Sequence, residues 1–116
     1  MNLDKQNAFV QENLFGGQGA VHVWNLLGSQ TALPISAVLW CELEPSGSVG
    51  PHQQQADAEV VICVSGEGQA TVAGQTFALG PGALVHLPFG ATLSLENTSS
   101  ERPLCYLIVK STGAAG

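Results

Sequence analysis

The sequence contains very few basic residues. Of its 116 residues only three are Lys or Arg, against nine Asp or Glu, so the formal net charge is -6. Three scattered cations cannot neutralise a phosphate backbone, and they offer little attraction to an anionic membrane surface. We therefore expect neither a nucleic acid nor a membrane as a partner. The same shortage argues against phosphorylated or nucleotide-sugar ligands.

Cysteine is also scarce, and long apolar runs are lacking. Cys41, Cys63 and Cys105 are widely spaced and odd in number, which is not the pattern of a disulfide framework or a zinc ribbon. Each lies in an apolar, strand-like run, where a free thiol behaves as a small hydrophobe. No run approaches the roughly 20 apolar residues that span a bilayer, and the first residues do not resemble a signal peptide. We expect a reduced, cytoplasmic compartment.

Short apolar segments separated by turn residues dominate the sequence. Runs rich in Val, Leu and Ile alternate with Gly, Pro and Asn, which is typical of an all-β sandwich or barrel. We expect an arm or one helical turn over 1–15 and a flexible tail over 111–116. The predicted strands lie near residues 20–27, 36–44, 58–65, 68–73, 75–79, 83–87, 91–97 and 103–110.

Two of the predicted strands, 58–65 and 103–110, are apolar on both faces. An antiparallel strand with one face in water normally alternates apolar and polar residues. Charged residues make up only 10% of the chain, so few polar side chains are available to cover the outer faces. Either other strands or a second subunit must cover them, and because charge is so sparse we predict a homodimer.

Two segments contain the candidate chemistry. In the first, His52 and Gln54 are two positions apart, so an extended chain points them to the same side. Glu59 follows after a short turn, and six residues separate it from Gly66. The second segment is marked by Gly82, Pro88, Gly90 and Asn97.

These segments resemble the two motifs of the cupin family. The first family motif has two His two positions apart, then a Glu, then a Gly, and the second has a Gly, Pro-x-Gly, a His and an Asn. The resemblance covers about residues 36–110, with motif one at about 47–66 and motif two at about 82–97. It implies one all-β cupin domain over 1–116, folded as a double-stranded β-helix or jelly-roll barrel.

Two positions depart from the family pattern. Gln54 stands where the family has its second metal-binding His, and Leu93 stands where motif two has its His. A Gln oxygen is a weaker ligand than imidazole for transition metals, and Leu cannot ligate at all. The resemblance therefore implies at best a three-ligand site of His52, Gln54 and Glu59. Such a site would hold a divalent cation such as Zn, Fe, Ni or Mn, unless the metal is absent.

Other residues could complete or line this site. His86 would reach the cavity if its strand face points inward, and is otherwise a strand histidine with a structural hydrogen bond. The carboxylate of Asp57 could orient the His52 ring by accepting a hydrogen bond from it, without itself binding the metal. If the strand alternation holds, the cavity is lined by Leu39, Leu43, Val61, Cys63 and Leu93.

Three functions remain open at this stage. One is a metal-binding cupin acting on a small organic acid or sugar. The second is a non-catalytic, metal-free module that binds or senses a small molecule, favoured by the apolar Leu93. The third is a metal-independent epimerase or isomerase with His52 as general base and Asp57 or Glu59 orienting it. The fold does not choose among them, because cupins host many functions.

Overall fold

The computed structural model describes residues 3–53 and 57–112. Within these residues the chain forms ten β-strands and two short 3₁₀ turns, Lys5–Asn7 and Leu14–Gly16, and no described helix is long and apolar enough to cross a membrane. The strands are β1 (Phe9–Glu12), β2 (Ala20–Asn25), β3 (Ile35–Leu43), β4 (Ser48–Gln53), β5 (Ala58–Ser65), β6 (Gly68–Val72), β7 (Gln75–Leu79), β8 (Leu84–Leu87), β9 (Thr92–Asn97) and β10 (Leu104–Ser111).

The strands form two antiparallel sheets. The six-stranded sheet has the order β1-β2-β3-β10-β5-β8, and the four-stranded sheet has the order β4-β9-β6-β7. Consecutive strands such as β3 and β4, or β5 and β6, lie in different sheets, so the chain crosses repeatedly between them. Side chains from both sheets share one hydrophobic core. The predicted all-β jelly-roll fold is confirmed.

The eight predicted strands correspond to β2, β3 and β5–β10. The sequence pattern does not predict β1 or β4. All four residues of β1 are exposed, and its sequence does not alternate apolar and polar residues, so no strand pattern is visible there. In β4, Gly50 and Pro51 are residues that usually interrupt a strand. Pro51 is tolerated because β4 is an edge strand, where its missing N–H costs no sheet hydrogen bond.

The core is built from alternate residues of each strand. In β5, Glu59, Val61 and Cys63 are buried, whereas Val60 and Ile62 between them are partly exposed on the outer face. All three cysteines of the chain are free and buried, as expected from their apolar surroundings. Four leucines from both sheets are fully buried, namely Leu43, Leu87, Leu93 and Leu104.

Asn97, the last residue of the second motif, is a structural residue. Its side-chain nitrogen lies 3.1 and 3.0 Å from the carbonyl oxygens of Leu43 and Glu44, at the end of β3. The same nitrogen lies 2.9 Å from the carbonyl oxygen of Arg102, and the side-chain oxygen accepts a hydrogen bond from the N–H of Ser99. The Asn97 residue is 2% exposed, and it joins the end of β3 to the loop before β10.

Candidate functional site

A cavity of about 170 Å³ opens between the two sheets. Its walls are mostly apolar and come from β2, β3, β4, β5, β9 and β10 together with the second 3₁₀ turn. Five of its lining residues carry polar or ionisable groups, namely Cys41, His52, Glu59, Tyr106 and Lys110. The first cupin-like motif therefore does contribute His52 and Glu59 to a common cavity.

His52 is held between a backbone carbonyl and an aromatic ring. Its Nδ1 atom lies 3.3 Å from the carbonyl oxygen of Gly50, which favours the Nδ1–H tautomer of a neutral ring and leaves Nε2 as an acceptor. The ring of Phe15 stacks on the imidazole with a centroid distance of 4.3 Å and an interplanar angle of 15°. A Cβ atom at Gly50 would overlap the carbonyl oxygen of Phe15, so only glycine permits this close approach of the turn to β4.

Glu59 and Lys110 form the charged part of the cavity. They are directly paired across β5 and β10, and both line the cavity. The Lys110 Nζ atom lies 3.9 Å from Oε1 of Glu59, whose side chain is almost completely buried. A buried carboxylate is costly without a cation or hydrogen bonds, so the ammonium group offsets part of that cost. The two formal charges cancel within the cavity.

Cys41 and Tyr106 are paired across β3 and β10, beside this ion pair. Burial, and then the charge of Glu59, raise the pKa of the Cys41 thiol from 9.0 to about 12. Burial, followed by the neighbouring Cys41 and Glu59, raises the pKa of Tyr106 well above its ordinary value. Both groups are therefore protonated near neutral pH, and Cys41 is neither a nucleophile nor a thiolate ligand there.

The five predicted lining residues divide into two groups. Leu39 and Leu93 line the cavity, as the alternation indicated. The structure corrects the placement of Leu43, Val61 and Cys63, which lie in the packed core instead. They point inward as expected but lie farther along their strands, where side chains fill the interior of so small a barrel.

The structure does not bring His86 or Asp57 to the cavity beside His52. His86 is exposed on β8 between two buried neighbours, so it faces away from the cavity and does not replace the missing ligand. Asp57 accepts a hydrogen bond from Oγ of Ser36 at 3.0 Å. Gln54 lies outside the described residues.

The described donors do not fit a divalent cation. His52 and Glu59 are the types of ligand that the cupin resemblance implies, but the side chain opposite His52 in β9 is that of Leu93. Across residues 3–53 and 57–112, no three His, Cys, Asp or Glu side chains are grouped to hold a metal. The ammonium of Lys110 beside Glu59 would also repel a cation. The three-ligand hypothesis depends on Gln54 and stays a prediction.

Comparison with known proteins agrees with this fold. The family model of the cupin domain matches residues 39–110. No curated protein gives a significant match to the sequence.

Several hundred solved chains are similar to this one, and they include the following three. A predicted oxalate decarboxylase from Thermotoga maritima is 24% identical, with a TM-score of 0.85 over 97% of this chain and 99% of that chain. The plu4264 protein from Photorhabdus luminescens is 14% identical, with a TM-score of 0.79 over 97% of this chain and 87% of that chain. A Cupin 2 conserved barrel domain protein from Salinispora arenicola CNS-205 is 23% identical, with a TM-score of 0.73 over 94% of this chain and 85% of that chain. These similarities show that the chains share a fold.

Proposed function

Since this chain belongs to the cupin family, we propose that its barrel cavity binds a small, uncharged organic molecule without a metal ion. The observation that supports this proposal is the composition of the cavity wall, in which an ion pair and one histidine are set among apolar side chains. Small-molecule sites are typically concave and mostly apolar, with a few polar groups that fix the orientation of the ligand.

The volume and the charge of the cavity define the class of ligand. Its volume is about 170 Å³, and a dry protein cavity of roughly 150 Å³ is large enough for benzene. Because the charges of Glu59 and Lys110 cancel, the cavity offers no net attraction to an ion. A molecule such as benzyl alcohol matches both limits, with its ring against the apolar wall and its hydroxyl bonded to the ion pair.

This ligand class differs from the substrate in the name of the Thermotoga maritima protein. Oxalate is a dianion at neutral pH, and burying it requires compensating positive charge. In the described part of the cavity wall Lys110 is the one cation, and it already faces a carboxylate. We therefore propose that oxalate is excluded and that an uncharged molecule is preferred.

A titration with three probes tests the preference. Benzyl alcohol, benzoate and oxalate are added separately to labelled protein, and shifts of backbone NMR resonances are followed. We expect benzyl alcohol to bind most tightly, with shifts around Leu39, Leu93 and Ile108. Tighter binding of oxalate or benzoate, or shifts confined to residues outside the cavity, would overturn the proposal.

A cavity-filling variant and a matched control locate the binding site. Leu39→Phe adds a ring to the cavity wall, whereas Leu84→Phe adds the same ring to an exposed position on β8. We expect Leu39→Phe to weaken benzyl alcohol binding at least tenfold and Leu84→Phe to leave it unchanged. Equal binding by both variants would contradict a ligand inside the barrel.

The two other hypotheses make distinct predictions for His52. If His52, Gln54 and Glu59 hold a divalent cation, elemental analysis of protein purified without chelators will find it in a stoichiometric amount that His52→Ala abolishes. If His52 is a general base, the protein will convert its ligand in the presence of a chelator, and His52→Ala will abolish that conversion. Metal-free binding without conversion predicts neither result.

A further inference from the structure

Lys110 brings a primary amine to the wall of the cavity. On β10 it follows Tyr106 and Ile108 at alternate positions, and all three side chains line the cavity. The Lys110 side chain is 33% exposed, so a molecule that enters from solvent can reach its Nζ atom. Among the described residues of the cavity wall, no other side chain carries an amine. A ligand that reacts with amines therefore has one target in this part of the cavity.

The other nucleophilic groups of the cavity do not compete with this amine. Burial is the main cause that raises the pKa of the Cys41 thiol to about 12, so it is not a thiolate near neutral pH. The pKa of Tyr106 is raised well above its ordinary value, mainly by burial, and this phenol also keeps its proton. The imidazole of His52 does not hold carbonyl compounds as stable adducts. Lys110 is therefore the group that can retain such a ligand.

Glu59 supplies a proton acceptor beside the amine. It is paired with Lys110 across β5 and β10, and its Oε1 atom lies 3.9 Å from Nζ. An N–H···O hydrogen bond is about 2.7–3.2 Å long, so the amine is not locked to this oxygen. A small molecule can approach the nitrogen while the carboxylate stays close enough to exchange protons with it, directly or through one water.

We propose that Lys110 binds a small aldehyde in the cavity by forming a reversible imine, with Glu59 carrying the protons. This inference rests on the proposed function, because it requires that the cavity accept a small uncharged molecule. Once Glu59 has taken a proton from the ammonium, the Nζ lone pair forms a bond to the carbonyl carbon, and the carbonyl π pair moves to oxygen. The carbon–oxygen bond then breaks. Two of the three ammonium protons, passed through Glu59, leave with that oxygen as water, and no oxidant or reductant is needed.

The charges and the apolar wall of the cavity favour the protonated imine. The product keeps one positive charge on nitrogen and Glu59 ends as a carboxylate, so the ion pair is retained. Without that cation the buried carboxylate would be costly. The pair of Leu39 and Ile108 lies two residues along the strands from Lys110 and lines the same cavity. These side chains can hold the body of the aldehyde and exclude water from the imine carbon, which slows hydrolysis.

Reductive trapping with benzaldehyde tests the inference on the full chain. Sodium cyanoborohydride reduces the protonated imine to a stable secondary amine, and peptide mass spectrometry locates the added benzyl group. The chain has two lysines, so the exposed Lys5 is an internal control. We expect Lys110 to be labelled at least about tenfold faster than Lys5, because the bound aldehyde is held beside it. An excess of benzyl alcohol should slow the labelling of Lys110 alone.

Glu59→Gln tests the transfer of protons, because it keeps the size of the side chain and removes the carboxylate. We expect the labelling of Lys110 to fall about tenfold in this variant while that of Lys5 is unchanged. A circular dichroism spectrum shows whether the variant folds. If it does not, Leu39→Phe, which fills the cavity, should slow the labelling of Lys110, and Leu84→Phe on the exposed face of β8 should not.

The outcomes distinguish the imine from the binding proposed above. Equal labelling of Lys110 and Lys5 in the wild-type chain would overturn the imine. If benzyl alcohol still binds inside the cavity in that case, only the covalent step is wrong, and if it does not bind, both proposals are wrong. A folded Glu59→Gln variant that is labelled as fast as the wild type would overturn the role of Glu59 as the proton carrier.

Discussion

Leu93 lies directly opposite His52 in the antiparallel pairing of β9 with β4, and both side chains line the cavity. Leu93 is 1% exposed and occupies the position at which the second cupin motif has a histidine. An apolar side chain therefore stands beside one of the two residues that keep the character of a metal ligand. At this position the cavity has an apolar side chain in place of a possible metal ligand.

Leu93→His should create a metal site, because the new imidazole would lie beside His52 on the neighbouring strand. Imidazole and carboxylate together suit Zn²⁺, which takes three or four such ligands. We expect addition of zinc to raise the melting temperature of Leu93→His but not that of the wild type. The measurement is thermal unfolding with and without zinc, so any destabilisation by the buried polar ring cancels in the comparison.

The matched control for this variant is Leu95→His. Leu95 is two residues along β9 and also lines the cavity, but its partner across the strands is Val49. An equal thermal response of the two variants to zinc would show that proximity to His52 is not what creates the site. Adding Lys110→Met to Leu93→His should strengthen zinc binding further, because the ammonium near Glu59 is then removed.

Lys110→Met should destabilise the protein by leaving Glu59 without its ammonium neighbour. Breaking a buried ion pair on one side costs about 3–5 kcal/mol. We expect about 1–2 kcal/mol here, because the Lys110 side chain is 33% exposed and the Nζ to Oε1 distance is 3.9 Å. The double variant Glu59→Gln with Lys110→Met should recover part of this loss, because no buried charge then remains in the pair.

Urea unfolding of both single variants and the double variant measures the coupling between the two residues. Lys5→Met, at an exposed position near the start of the chain, is the control for loss of a positive charge and should change the free energy of unfolding little. If the two single costs simply add in the double variant, Glu59 and Lys110 do not interact, and their charges do not cancel in the cavity as proposed.

The sequence predicts the strands of the barrel better than it predicts the site. Val, Leu and Ile at alternate positions fix which face of a strand is buried, so Leu39 and Leu93 could be assigned to the interior. How deeply a residue lies along that face depends on the packing of both sheets, so the prediction that Leu43 lines the cavity is wrong. Phe15 gave no signal, because it comes from an irregular turn whose docking on β4 is a long-range contact. The sequence does not indicate that Lys110 lines the cavity, because a charged residue near a strand end is usually solvated.

Gly66 and Gly82 provide a test of whether a motif glycine is required for its backbone conformation or for lack of space beside it. Both have a left-handed backbone, with φ of +92° and +89°. A Cβ at Gly66 would lie 2.5 Å from the carbonyl oxygen of Pro103, whereas a Cβ at Gly82 would meet nothing within 4 Å. Gly82→Ala should cost about 1–2 kcal/mol of strain, and Gly66→Ala should cost clearly more.

The difference between these two alanine variants in urea unfolding isolates the contact with Pro103, because the backbone strain is common to both. Equal costs would mean that the chain before β10 moves aside without penalty, and that Gly66 is needed only for its positive φ. A larger cost for Gly82→Ala would contradict the placement of the turn between β5 and β6.

Stability should fall as the pH rises above about 9, because of Cys41. Burial raises the pKa of this thiol from 9.0 to about 12 in the folded chain, whereas the unfolded chain keeps the ordinary value. Above pH 9 the unfolded state loses a proton that the folded state keeps, so the free energy of unfolding falls by up to about 1.4 kcal/mol per pH unit.

Urea unfolding under reducing conditions, at about pH 8 and about pH 10.5, should show wild type losing about 2 kcal/mol more than Cys41→Val. Burial, the largest cause of the raised pKa of Tyr106, is present in both proteins and cancels in the comparison, whereas the smaller contribution that Cys41 makes to the pKa of Tyr106 is lost together with the thiol. Parallel losses in the two proteins would contradict a Cys41 thiol that stays protonated inside the folded barrel.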